Sequence, residues 1–226
     1  MRVVLTHIPR TGGSSLFAGI RAQLPGAKAA EFDSYADVAM LSDRELNSYN
    51  LISTYLGSKL FDRLSEDWIK ILILRDPVAR LRSSYWHLRT TPEHYSFASA
   101  KAKECSFRDY LALRDAAVIF QATNTQTWTV LGDKSLHFRK RWADESDAQI
   151  SAMAAEKLAS YDFIGFTERL DVLWSKICGN FGWSPSPLPR LRVNSRIEIG
   201  EDAAADDLLY HTALDENLVR AASGRL

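Results

Sequence analysis

The chain begins with a short apolar stretch that runs into a glycine-rich turn and then into a helix-forming segment. Residues 3–5 form the apolar part, and the turn contains Gly12 and Gly13. Glycine tolerates a positive φ and lets a ligand approach the backbone, so successive N–H groups of such a turn can converge on one anion. The serines that follow would open the helix, where the helix dipole favours negative charge. We therefore predict a strand, an anion-binding turn and a helix, with an ordinary strand-to-helix turn as the alternative.

The residues around the two glycines separate this turn from the loop that binds nucleoside triphosphates. That loop needs a lysine directly before the helical hydroxyl, and Gly13 holds that place here. Residues 7–16, HIPRTGGSSL, resemble instead the 5′-phosphosulfate loop of sulfotransferases that use 3′-phosphoadenosine 5′-phosphosulfate (PAPS). One departure is that the lysine of that family is Arg10 in this chain, which we expect on the rim of the turn with Thr11. The resemblance implies that the loop binds the cofactor through Arg10, Thr11, Gly12, Gly13, Ser14 and Ser15.

Composition narrows the class of protein and its partners. The 226 residues are 46% hydrophobic and 25% charged, which suits one globular domain over residues 1–226. The 28 basic residues balance 28 acidic ones, so we expect neither nucleic acid nor a membrane as partner. Cys105 and Cys178 lack the spacing of a disulfide framework or a cysteine zinc site. Since the first strand starts close to Met1 and no apolar run approaches ~20 residues, we expect a cytoplasmic protein.

Apolar segments that alternate with helical ones indicate the fold class. Residues 68–74, WIKILIL, are almost continuously apolar, as is typical of a parallel strand covered on both faces. Shorter strands are predicted over residues 29–33, 50–55 and 161–166, and the chain beyond residue 105 reads as mostly helical. This order predicts an α/β, P-loop-like fold with three layers, in which helices flank a central, mainly parallel sheet. A ligand is expected at the carboxyl ends of the strands.

A second motif directly follows the apolar run. Residues 74–85, LRDPVARLRSSY, resemble the 3′-phosphate motif of PAPS sulfotransferases, in the R-D-P-x-x-R-x-x-S form of carbohydrate-modifying members. By that match Arg75 and Ser83 would hold the 3′-phosphate of the cofactor. A strand-end salt bridge between Arg75 and Asp76 is the alternative. Residues 124–132 and 161–173 carry weaker similarity to the same family.

Sulfuryl transfer needs a positive charge near the moving group and a base for the acceptor hydroxyl. Arg10 would supply the charge, and it would not donate a proton because arginine stays protonated in proteins. As the catalytic base we predict Glu31, narrowly ahead of Asp33, because members of the 3-O-sulfotransferase type carry a glutamate on the corresponding strand end. Tyr55, where related bacterial sequences have histidine, and His87 are the alternatives. No carboxylate-rich metal motif is evident, and the resemblance implies a metal-independent reaction.

These observations predict an enzyme that transfers a sulfuryl group from PAPS to an acceptor hydroxyl and releases PAP, which is 3′,5′-ADP. A sugar or glycan is the expected acceptor, because both motifs are most similar to the carbohydrate-modifying branch. Two alternatives stay open, namely an ATP-dependent small-molecule kinase of P-loop type and a catalytically impaired nucleotide-binding module. The sequence carries no prediction of the oligomeric state.

Overall fold

The computed structural model describes residues 1–92, 96–132, 144–191 and 203–225. Its sheet contains β1 (Arg2–Thr6), β2 (Ala29–Phe32), β3 (Leu51–Thr54), β4 (Trp68–Leu74) and β5 (Phe163–Phe166). The strands lie in the order β2-β3-β1-β4-β5, and every neighbouring pair is parallel. The strands predicted from the apolar pattern are confirmed, with ends shifted by a residue or two.

Helices make up most of the remaining described chain. The α-helices are α1 (Gly13–Gln23), α2 (Tyr35–Ala39), α3 (Asp43–Leu46), α4 (Pro77–Thr90), α5 (Phe97–Glu104), α6 (Phe107–Ala112), α7 (Ala116–Ala122), α8 (Thr125–Leu131), α9 (Asp147–Lys157), α10 (Leu170–Phe181) and α11 (Ala205–Ser223). Short 3₁₀ segments cover Gly57–Arg63, Leu158–Ser160 and Thr167–Arg169. None of the helices along these ranges combines the length and the apolar character that a membrane crossing requires.

The strand β4 explains why a continuous apolar run predicts a strand covered on both faces. Ile71 and Ile73 pack in the cluster that α1 and α10 form on one face of the sheet. Leu72 and Leu74 pack on the opposite face, where α8, α9 and α11 contribute to the cluster. Because successive side chains of a strand point to opposite faces, covering both faces requires an apolar residue at every position. The helix–sheet–helix arrangement confirms the predicted α/β, P-loop-like three-layer fold.

Capping side chains set several helix starts locally. Ser42 Oγ accepts the Glu45 N–H at 3.2 Å, and Glu45 Oε2 accepts the Ser42 N–H at 2.7 Å, which is a capping box at the start of α3. At α4, Asp76 Oδ1 accepts the Ala79 N–H at 2.7 Å, and Pro77 follows as the first helical residue. The Asp76 cap and Pro77 start α4 directly after β4 ends.

The chain leaves β1 and β4 toward opposite edges of the sheet. After β1 it continues to β2 at one edge, and after β4 it reaches β5 at the other. In parallel α/β sheets, ligands bind at the carboxyl ends of neighbouring strands whose connections diverge in this way. β1 and β4 are paired directly, with Thr6 opposite Leu72. The fold thus brings the two sequence motifs side by side.

Candidate active site

A cavity of about 950 Å³ lies at the carboxyl ends of β1 and β4. All predicted cofactor-binding residues except Thr11 line it, namely Arg10, Gly12, Gly13, Ser14, Ser15, Arg75 and Ser83. Other titratable residues on its walls are His7, Tyr55, His87, Glu168, Asp171 and Arg190. The proline-rich segment of residues 185–191 forms another part of the cavity wall.

The β1–α1 loop takes its shape from two residues with positive φ, Arg10 at 74° and Gly12 at 89°. We expected both glycines to use this freedom, but Gly13 is instead the first residue of α1. Gly13 is needed for space, because a Cβ atom there would lie 2.5 Å from Cδ2 of His7. A left-handed conformation costs a residue such as Arg10 about 1 kcal/mol or more. Strained residues of this kind concentrate at functional sites, which agrees with a ligand-binding role for the loop.

Thr11 is placed differently from the expectation. Its side chain is fully buried, and its hydroxyl donates to the Ile8 carbonyl at 2.9 Å. The Thr11 carbonyl in turn accepts the hydroxyl of Thr167 at 2.8 Å. Thr11 therefore does not lie on the rim of the loop, because its side chain is used to hold the loop together and to tie it to the chain after β5.

The N-terminus of α1 points its first turn at the cavity. Gly12 occupies the cap position, and no side chain of the described residues caps this helix. Ser14 and Ser15 lie in the first turn, and Ser15 Oγ accepts the Leu191 N–H at 3.2 Å. The unsatisfied N–H groups of a helix start and the helix dipole together favour an anion at this position.

Hydrogen bonds join the two sequence motifs directly. Arg10 Nε donates to Ser83 Oγ at 3.0 Å, so the loop after β1 reaches the helix after β4. In the opposite direction, Arg75 Nη1 donates to the Arg10 carbonyl at 2.9 Å. The two arginines and the serine therefore form one continuous basic wall of the cavity.

The Arg75 guanidinium lies at the cavity wall with a quarter of its side chain exposed. Burial lowers the pKa of Arg75, whereas the carboxylates of Glu168 and Asp76 oppose this shift. Glu168 Oε1 is 3.9 Å from Arg75 Nε, and Asp76 serves as the cap of α4, so Glu168 rather than Asp76 is the ion-pair partner. Arg75 Nε is buried and has no hydrogen-bond acceptor among the described residues. A cation with an unused, buried donor at this wall is suited to an anionic group.

The predicted bases lie apart from this wall. The cavity lining, within the described residues, does not include Glu31 or Asp33. Glu31 is an exposed residue of the edge strand β2, and Asp33 is exposed just beyond it, where its N–H donates to Asp37 Oδ2 at 2.9 Å. The alternatives Tyr55 and His87 do line the cavity and are half-buried. The structure therefore places Tyr55 and His87 at the candidate site, and not Glu31 or Asp33.

His7 has a different environment from His87. It is 6% exposed, its Nδ1 lies 3.3 Å from Ser53 Oγ, and its ring centroid is 4.9 Å from that of Tyr55. Its ring also lies against Gly13. These contacts make His7 part of the support of the loop. Within the ranges that the structure describes, no group of three or more His, Cys, Asp or Glu side chains is arranged to hold a metal ion.

Sequence reasoning did not single out two residues that organise the site. The Thr167 hydroxyl donates to the Thr11 carbonyl and also lies 3.2 Å from the Leu74 carbonyl, so it joins the β1–α1 loop to the end of β4. Gln126 forms two hydrogen bonds with the main chain of Arg75. Both residues fall in segments with weak similarity to the family, residues 124–132 and 161–173. That similarity was the only feature of the sequence that indicated a role for them.

The comparison with known protein families agrees with this geometry. No curated protein matches the chain. A family model described as the sulfotransferase family matches residues 4–218, which include most of β1, the other four strands, both sequence motifs and the described walls of the cavity. This match extends over nearly the whole sequence, and the chain belongs to the sulfotransferase family.

Proposed function

We propose that this sulfotransferase takes its sulfuryl group from PAPS and transfers it to a hydroxyl group of a sugar or glycan. The observation that carries the proposal is the continuous basic wall formed by Arg10, Arg75 and Ser83. PAPS has a phosphosulfate at one end and a phosphate on the ribose 3′ position, so it needs two anion sites on one cavity. The wall offers such sites at the start of α1 and at the junction of β4 with α4.

The chemistry of the wall fits this donor. The unused Nε donor of Arg75 suits a phosphate oxygen, and arginine binds phosphate with paired N–H groups. At the other end, Gly12, Gly13 and Ser14 at the start of α1 line the cavity, and a helix start favours an anion. Arg190 also lines the cavity and adds a further positive charge. Family membership and Gly13 in place of the loop lysine both disfavour the ATP-dependent kinase.

In this proposal Arg10 stabilises the charge that develops during transfer. PAPS supplies an activated sulfuryl group on a phosphate leaving group. Arg10 Nε donates a hydrogen bond to Ser83, and this bond fixes the orientation of the guanidinium group. A preorganised cation in a cavity lowers the energy of a charged transition state more than a mobile one does. The first turn of α1 adds N–H donors and a favourable dipole.

The acceptor hydroxyl requires a base within hydrogen-bond reach. Glu31, with Asp33 second, is the hypothesis from the resemblance, but neither lines the cavity. His87 lines the cavity on α4, one turn beyond Ser83, and histidine is the most frequent general base in enzymes. We therefore place His87 ahead of Glu31 as the proposed base.

Variants of these two residues test the base. Replacing His87→Gln is expected to lower kcat by about 100-fold, because it removes a general base and keeps a polar side chain of similar length. Glu31→Gln serves as the matched control and is expected to leave kcat within about twofold, as befits an exposed group. Sulfuryl transfer from PAPS is measured under saturating donor. A large loss in the Glu31 variant with an active His87 variant would return the role to Glu31.

A sugar acceptor is supported by the second motif and by polar residues that line the cavity. The R-D-P-x-x-R-x-x-S form of residues 75–83 is most similar to carbohydrate-modifying members. Asp171 and Ser175 of α10 also line the cavity, whereas Glu168 pairs with Arg75. Carboxylates and hydroxyls accept hydrogen bonds from sugar hydroxyls, so this part of the cavity is suited to a polyhydroxy acceptor.

The donor is tested by calorimetric titration with 3′,5′-ADP in EDTA, with 5′-AMP as control. We expect 3′,5′-ADP to bind more tightly, because only it carries the 3′-phosphate. Equal affinities, or no binding of either nucleotide, would refute PAPS as donor. Transfer of labelled sulfate from PAPS to a panel of mono- and oligosaccharides then tests the acceptor. Binding of 3′,5′-ADP without transfer to any hydroxyl acceptor would identify an impaired nucleotide-binding module.

A further inference from the structure

Gln126 forms a two-point contact with the main chain of Arg75. The Arg75 N–H donates to Gln126 Oε1 at 2.9 Å, and Gln126 Nε2 donates to the Arg75 carbonyl at 3.0 Å. Gln126 is fully buried, in the first turn of α8. A side-chain amide that pairs with both polar groups of one residue replaces the ladder hydrogen bonds that end with β4. It therefore fixes the backbone of Arg75 where the strand turns into α4.

A carboxylate from a distant helix holds Gln126 in place. Asp215 Oδ2, on α11, accepts the main-chain N–H of Gln126 at 3.2 Å. Asp215 Oδ1 accepts both the N–H and the hydroxyl of Thr127, at 2.8 and 2.9 Å. Asp215 is completely buried, and Arg80 Nε lies 3.9 Å from its Oδ2. Charge and hydrogen bonds thus hold the start of α8 against α11.

The residue before α8 strengthens the same attachment. Asn124 has a positive φ of 46°, and its Oδ1 accepts the N–H groups of Leu214 and Asp215 at 3.0 and 3.3 Å. The Asn124 N–H donates to the carbonyl of His211 at 2.8 Å. Both the side chain and the main chain of Asn124 thus hold the start of α8 against α11. The position of the Gln126 amide is therefore determined before any ligand binds.

We propose that Gln126 is a positioning residue for recognition of the 3′-phosphate. By holding the main chain of Arg75, Gln126 fixes the position from which the Arg75 side chain extends. The other end of that side chain is held because Arg75 Nη1 donates to the Arg10 carbonyl. With both ends restrained, the guanidinium holds its buried Nε donor at the cavity wall. The inference rests on the proposed PAPS donor. It assigns to Gln126 the selectivity for nucleotides that carry a 3′-phosphate, although Gln126 itself does not line the cavity.

The test compares two buried neighbours in the same network. Gln126→Met keeps the length of the side chain and removes both hydrogen bonds to Arg75. Thr127→Val removes the hydroxyl bond to Asp215 and leaves the contact with Arg75 intact. Calorimetric affinities for 3′,5′-ADP and 5′-AMP are measured for each variant, and thermal unfolding is measured alongside.

In the Gln126 variant we expect the preference for 3′,5′-ADP over 5′-AMP to fall by about tenfold, the scale of a lost hydrogen bond to a charged group. The Thr127 variant should unfold at a lower temperature and keep the wild-type preference. An unchanged preference for 3′,5′-ADP in the Gln126 variant, or an equal loss of that preference in the Thr127 variant, would overturn the inference. The proposed donor would still be supported in that case if the wild-type protein prefers 3′,5′-ADP. If the wild-type protein itself shows no preference, both the inference and the proposed donor fail.

Should Gln126→Met not fold, Gln126→Glu provides a second test. The glutamate keeps an acceptor for the Arg75 N–H but lacks the donor for its carbonyl, so a smaller loss of preference is expected. A wild-type preference in a folded Gln126→Glu protein would overturn the inference equally.

Discussion

The two junctions that line the cavity are built in different ways. The β1–α1 loop is shaped from within, by the positive φ of Gly12, the missing Cβ of Gly13 and the internal hydrogen bond of Thr11. The β4–α4 junction is shaped from outside, because the main chain of Arg75 is held by Gln126, 51 residues later in the chain. The first junction is a local motif, whereas the second depends on how α8 and α11 pack.

The difference bears on how each junction would tolerate change. A loop shaped mainly by its own residues is most sensitive to changes in those residues. A junction held by remote side chains can be weakened from another helix without touching its motif. Arg10 connects the two, since its Nε donates to Ser83 and its carbonyl accepts from Arg75.

The largest expected effect comes from removing this connection. Arg10→Met should lower kcat by about 1000-fold, the scale for loss of one preorganised group that stabilises transition-state charge. Arg10→Lys keeps the positive charge but lacks the planar guanidinium, so its kcat should lie between those of the wild type and Arg10→Met. Arg169→Met, an exposed arginine outside the cavity lining of the described residues, is the matched control. Near-normal kcat in Arg10→Met would remove the charge-stabilising role.

The remote support of the β4–α4 junction is broken by Asp215→Asn. This change leaves Arg80, whose side chain is 1% exposed, without its buried partner, and we expect the free energy of unfolding to fall by about 3 kcal/mol. Urea denaturation measures the effect, and Asp206→Asn on the exposed start of the same helix is the control. Equal stability of the two variants would show that the buried pair does not hold the junction.

The loop is broken from within by Gly13→Ala. The added Cβ would meet the His7 ring at 2.5 Å, so we expect a loss of about 2 kcal/mol, typical of overpacking. Gly179→Ala is the matched control, because a Cβ at Gly179 in α10 meets nothing within 4 Å. That control should be neutral or stabilising by about 1 kcal/mol, since alanine favours a helix. Thermal unfolding with and without 3′,5′-ADP measures both, and similar behaviour of the two variants would contradict the steric role of Gly13.

Much of the fold could be predicted because its signals are local. The burial of Ile71 and Leu72 on opposite faces follows from consecutive apolar residues, and the capping box at Ser42 follows from a serine and a glutamate three residues apart. The two sequence motifs, residues 7–16 and 74–85, could also be recognised, because each is a short segment. The turn geometry was harder to predict, since the positive φ falls on Arg10 and Gly12, whereas Gly13 provides space for the ring of His7.

The support of the site could not be predicted in the same way. Gln126 and Asp215 are 89 residues apart, and no spacing rule relates them. Likewise, Glu31 lies on a strand end as expected, but whether a strand end reaches the cavity depends on its place in the sheet. β2 is separated from β1 by β3, and Glu31 does not line the cavity.

By itself the sequence determined the strands β1–β5 and the two short motifs that follow β1 and β4, because these depend on hydrogen bonds, side-chain alternation and residue types among near neighbours. Only the tertiary structure decided which groups face the cavity and what holds Arg75 in place. Hydrogen bonds such as those from Gln126 to Arg75 join distant parts of the chain, so they exist only once the sheet order and helix packing have brought those parts together.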